Sequence, residues 1–97
     1  MSITILVEIT IKPEHYYDYR KFMKRGTEIA RSSEGCRLIE GFENEDAPGS
    51  FMFREIWSDR ASHEEFVASM QESDAMKTLG PWMAGPPVVR YFNGLDV

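Results

Sequence analysis

Apolar and polar positions alternate at the start of the chain. In ITILVEITI (residues 3–11), Ile3, Ile5, Val7, Ile9 and Ile11 share one parity, and Thr4, Leu6, Glu8 and Thr10 the other. Period two with β-branched enrichment predicts a strand with one fully apolar face. Pro13 ends it, because proline has no N–H for a ladder but suits a first helical turn. From about His15 to Ser33 the period lengthens. Tyr16, Tyr19, Phe22, Met23, Gly26, Ile29 and Ala30 recur at three- and four-residue steps among charged residues, which predicts an amphipathic helix. A glycine inside a helix costs about 1 kcal/mol relative to alanine. Gly26 lies on the apolar stripe, so close approach of helix to sheet is the expected compensation, and Gly35 supplies the stop.

CRLIEGFE (36–43) and FMFREIW (51–57) read as strands joined by a hairpin loop, NEDAPGS. Ser58 or Asp59 can cap a second helix over about 60–70, and Ser62 with Glu65 fits a capping box. A short helical segment is expected near 73–79, irregular chain through Gly80-Pro81 and Gly85-Pro86-Pro87, and a last strand over 88–93. The order β-α-β-β-α-β predicts one α+β ferredoxin-like domain over residues 1–97, with an antiparallel sheet covered by helices on one face. The other face holds Leu6, Met52, Ile56, Leu38 or Phe42, and Val89 or Tyr91. A chain of 97 residues has no element left to cover it, so a homodimer through the sheet face is expected.

Charge narrows the partners. Eleven Lys and Arg against sixteen Asp and Glu give a net charge of −5. That balance argues against nucleic acid and anionic membrane. The one cysteine, Cys36, cannot form an internal disulfide, and no apolar run has the ~18 residues of a membrane span. A soluble cytoplasmic protein is expected. His15, His63 and Cys36 have no metal-ligand spacing and no Gly-rich phosphate loop occurs, so neither a metal nor a nucleotide cofactor is expected.

Several segments together resemble the antibiotic biosynthesis monooxygenase (ABM) family of dimeric α/β-barrel proteins. They are the strand ending in IKPEH, the turn SSEGC, the hairpin ending in DAPGSF, the run FMFREIWSDRASHEEF and the closing PPVVRYF. The resemblance implies a homodimer of packed sheets and a pocket between sheet and helices. It also implies oxygenation of electron-rich phenols and quinols by dioxygen without metal, flavin or haem. A non-catalytic small-molecule-binding or stress-related dimer, or a cofactor-free isomerase using the same pocket, are the alternatives. Haem-degrading relatives use an asparagine on strand one and a histidine on the second helical segment. Here strand one reads LVEITI and residues 64–80 hold no histidine, so that activity is disfavoured.

Glu55 and Trp57 share the parity of Phe51 and Phe53, which points Glu55 into the domain. A buried carboxylate must be paired or have a raised pKa. Glu55 is therefore a candidate base, unless Arg37, Arg54 or Arg90 pairs with it. His63 is a second candidate base, unless it faces solvent. Trp57 is a candidate stacking wall or a core residue. Phe66 stands where many ABM members carry histidine and is assigned to substrate binding with Trp57. Tyr16 and Tyr19 are candidate orienting hydroxyls. Trp82, among prolines and glycines, is a lid residue or a dimer contact. Arg90 and Tyr91 have opposite parity, so one faces the pocket.

Overall fold

A computed structural model describes residues 2–97. Its strands are β1 (Ile3–Thr10), β2 (Cys36–Glu43), β3 (Ser50–Trp57) and β4 (Val88–Phe92), and its helices α1 (Tyr16–Arg31), α2 (Arg60–Gln71) and α3 (Asp74–Leu79). Three-residue 3₁₀ turns at Pro13–His15 and Gly80–Trp82 lead into α1 and out of α3. The strands form one antiparallel sheet in the order β2-β3-β1-β4. This is the ferredoxin-like α+β arrangement that the element order predicts.

Cross-strand register decides which side chains share a face. Ile5 lies opposite Glu55 and Tyr91, and Val7 opposite Phe53 and Val89. On this face Ile9, Ile11, Phe51, Phe53 and Ile39 form the core with Tyr19 and Ala30 of α1. The second face carries Leu6, Leu38, Phe42, Met52, Ile56, Val88 and Phe92, by the same pairings. Val88 and Phe92 therefore replace the expected Val89 or Tyr91 on that face, and Leu38 and Phe42 both belong to it. Two ion pairs, Glu40–Arg54 and Glu8–Arg90, lie among these side chains.

Two local expectations are corrected. The N-cap of α2 is Asp59, whose carboxylate accepts from the Ser62 backbone N–H at 2.8 Å. Ser62 is thus the capped position rather than the cap, and the Ser62–Glu65 box does not form. The backbone N–H bond holds the Asp59 carboxyl below its usual range. Gly26 makes no close approach: a Cβ built there would meet no heavy atom within 4 Å. The tight glycine is Gly49 in the hairpin loop. Its φ of +89° favours glycine, and an added Cβ would overlap the Tyr16 ring.

Candidate functional site

Residues two apart on a strand project to one face, so β3 places Glu55 and Trp57 side by side. The indole Nε1–H of Trp57 donates to Glu55 Oε1 at 2.8 Å. Residues three apart on a helix also share a face, and α2 lowers His63 and Phe66 onto the same indole. The His63 ring meets Trp57 edge-on at 5.4 Å, and the Phe66 ring lies tilted at 5.4 Å. Trp57 is 0% exposed and His63 is 2% exposed.

His63 does not face solvent. Its Nδ1 lies 2.8 Å from the Tyr91 hydroxyl and its Nε2 lies 3.8 Å from Glu55 Oε1. Electrostatics assigns the tautomer. A Tyr91 O–H donating to Nδ1 leaves the ring proton on Nε2, where it faces the carboxylate. Burial pushes the imidazole below its ordinary value. Burial also pushes the Glu55 carboxyl up, against the bond from Trp57, which lowers it. Among the described residues none of the arginines named as possible partners forms an ion pair with Glu55: Arg54 pairs with Glu40 and Arg90 with Glu8. The Arg60 guanidinium lies over the Tyr91 ring at 4.1 Å and closes this cluster on its outer side.

Glu55 opens onto a cavity of about 190 Å³ between sheet and helices. Val7, Ile9, Phe53, Phe22, Met23, Phe66, Met70 and Leu79 supply its apolar walls, with Tyr19 and Thr27 the other polar side chains. Among the lining residues Glu55 is the sole carboxylate. This cavity is large enough for an aromatic ring, since about 150 Å³ of apolar space accepts benzene.

The candidate residues separate by position. Glu55, Phe66 and Tyr19 line the cavity, while Trp57 and His63 stand behind Glu55 and do not line it. Trp57 is therefore a support for the carboxylate rather than an open stacking wall. Tyr16 is elsewhere: its hydroxyl donates to the Pro48 carbonyl at 2.6 Å and fastens the hairpin loop. Trp82 stacks on His15 at 5.5 Å and meets Phe22 edge-on at 5.6 Å, so it braces one cavity wall. Tyr91 is the member of the Glu55–His63 cluster that parity alone left open. Its place opposite Ile5 turns it toward His63. Among the described residues no three His, Cys, Asp or Glu side chains group as metal ligands, and no helix is long and apolar enough to cross a membrane.

Comparison with solved structures supports the fold. A structure described as an antibiotic biosynthesis monooxygenase superposes with a TM-score of 0.87 at 20% identity, covering 97% of this chain and 99% of that one. Rv0793 from Mycobacterium tuberculosis superposes with a TM-score of 0.85 at 18% identity, covering 100% and 98%. A conserved protein from Methanosarcina mazei Go1 gives 0.84 at 17% identity, covering 95% and 91%. No curated protein matches the sequence. The family model for antibiotic biosynthesis monooxygenase matches residues 2–78, which include β1 to β3, α1, α2 and the cavity carboxylate. On that match the chain belongs to the antibiotic biosynthesis monooxygenase family.

Proposed function

We propose that the chain is a small cofactor-independent monooxygenase that oxidises a phenolic or quinol-type aromatic with dioxygen. One observation carries this reading. Glu55, with its side chain 12% exposed, is the sole carboxylate on an apolar, ring-sized cavity, and a fixed indole N–H holds it. Burial raises the proton affinity of such a group, which suits it to act as a base toward a phenol.

In the proposed reaction Glu55 removes the proton from the substrate hydroxyl. The electron-rich anion then reacts with dioxygen at a ring carbon. One oxygen atom is retained as a new carbonyl and the other leaves as water, so a phenol becomes a quinone. The substrate loses four electrons and dioxygen gains four, and no external reductant is needed. Tyr19 offers a hydroxyl at the cavity wall, and Phe66 and Phe22 offer aromatic faces to the ring. The role of His63 is to position the carboxylate: it presents Nε2–H to Glu55 while Tyr91 holds its other nitrogen. With a ring seated in the cavity, the apolar walls leave little polar surface to hold water beside the anion and the oxygenated intermediate.

We further assign the second face of the sheet to another copy of this chain. Phe42, Val88 and Phe92 are each more than two-fifths exposed there. The four charges among them form two internal pairs, so the face can meet its own copy without net repulsion.

Oxygen-electrode traces with a panel of hydroquinones and anthrones test the reaction. Uptake that depends on substrate and falls at least tenfold in Glu55→Gln is expected. Equal traces for wild type and variant would overturn the assignment of Glu55. Binding without uptake would favour a non-catalytic binding dimer, and anaerobic conversion an isomerase.

A further inference from the structure

Outside the cavity, between α1 and the α2–α3 turn, lies a wider cleft of about 570 Å³. Phe22, Gly26 and Met70 line both spaces. Gly26 stands at the junction, and no heavy atom lies within 4 Å of where its Cβ would be. The helical cost of this glycine therefore secures no packing; it leaves an open threshold.

The outer cleft differs from the inner one in charge. Lys21 and Arg25 lie on its wall, one helical turn apart, with the Ser69 and Ser73 side chains across from them. Lys21 sits over the Tyr17 ring at 4.4 Å. Among the described residues neither Lys21 nor Arg25 has a carboxylate within ion-pair distance, as is also true of Lys12, Lys24, Arg31 and Arg37; Lys21 and Arg25 are the two of these that line the cleft. Like charges four residues apart on a helix repel. In a chain of net charge −5 this is a local cationic mouth above an apolar cavity that ends in a carboxylate.

We propose that cavity and cleft together bind an aromatic carboxylate, with the ring inside and the acid group at Lys21 and Arg25. The inference rests on the inner cavity being the substrate site. The two charge patterns select one orientation. The acid group is attracted to the mouth and repelled by Glu55, so the opposite end of the ring system, with its hydroxyl, is delivered to the base.

The test uses 6-hydroxy-2-naphthoic acid and its methyl ester, which differ at the acid group alone. Binding of each is followed by ligand fluorescence under nitrogen, where no oxygenation takes place. The acid is expected to bind about five- to tenfold more tightly than the ester, as two partly exposed ion pairs allow. That preference should vanish in about 1 M NaCl, where the screening length is about 3 Å. It should also vanish in Lys21→Gln/Arg25→Gln but persist in Lys12→Gln/Lys24→Gln, which removes equal charge outside the cleft. Gly26→Leu should weaken acid and ester alike. Equal affinity for acid and ester, no binding of either, or a preference that survives Lys21→Gln/Arg25→Gln would overturn the proposal. Preference without oxygen uptake in air would leave this site standing and remove the monooxygenase reading. Uptake with neutral phenols but no preference would do the reverse.

Discussion

The imidazole Nδ1 of His63 lies 2.8 Å from the hydroxyl of Tyr91, and this contact ties the start of α2 to the edge strand β4. It supplies the partner that a buried imidazole nitrogen requires. Tyr91→Phe leaves that nitrogen unpaired, at an expected cost of about 1–3 kcal/mol in a urea melt. His63→Phe in the Tyr91→Phe background should cost less than the two single changes added together. Strict additivity would show that the contact carries no stability.

The same cluster gives the protein a pH signature. Burial pushes Glu55 above its ordinary 4.5, so the folded chain holds this proton where the unfolded chain releases it. Stability linked to the protonated Glu55 is complete below about pH 4.5 and is lost as pH rises through the folded value. His63 has the opposite sign. Burial pushes it below its ordinary 6.5, so its contribution is complete above about pH 6.5 and is lost as pH falls through the folded value. Glu55→Gln removes the first effect alone. Its unfolding free energy relative to wild type should therefore increase as pH rises from about 4.5 through the folded value of Glu55, and level off above it. A difference that stays flat across that range would mean that Glu55 is not desolvated.

How far the sequence reveals this site depends on how local each signal is. Period two fixes the face of Glu55 once Phe51 and Phe53 are apolar, so its inward direction is legible. His63 is harder, because α2 surrounds it with charged residues, and its burial depends on the tryptophan beneath it. The choice between Arg90 and Tyr91 requires the pairing with β1, a contact between chain ends that no local window contains. Trp57 shows a limit of residue type: an indole suits a cavity wall and a buried support equally, and depth under α2 decides. Gly26 shows another. A missing side chain reads the same in sequence whether a neighbour or a void fills its place.

That void makes Gly26 a simple stability test. A methyl group there meets nothing, so Gly26→Ala should gain about 0.5–1 kcal/mol by limiting the unfolded chain and favouring the helix. For a domain of this size the melting temperature should rise by about 2–8 °C. A fall in melting temperature would show that α1 packs more tightly against its surroundings than the open threshold allows.

Tyr16 and Gly49 form a structural pair remote from the cavity carboxylate. Tyr16→Phe removes the bond to Pro48 and should cost about 0.5–1.5 kcal/mol with ligand affinity unchanged. Gly49→Ala should cost more, since it adds backbone strain at positive φ to a collision with the Tyr16 ring. Thermal melts together with naphthoate titrations separate the two properties. A loss of affinity in Tyr16→Phe would place its hydroxyl back among the ligand contacts.

The second face of the sheet yields a prediction about assembly. Phe42 and Phe92 are 47% and 44% exposed, on edge strands β2 and β4, while Leu6 and Ile56 lie on the central strands between them. Burying an aromatic or aliphatic side chain of this size is worth about 1.5–3 kcal/mol. A copy seated across the sheet would bury several at once. Phe42→Asp places a charge in that contact, where Arg54 and Arg90 are already paired with Glu40 and Glu8. Sedimentation of the wild type at micromolar concentration should give a dimer, and Phe42→Asp should shift it to monomer. The melting temperature of the wild type should rise with protein concentration, because association draws on the folded state alone, and this dependence should disappear in the variant. A wild type that sediments as a monomer, with a melt independent of concentration, would remove the second copy from this face.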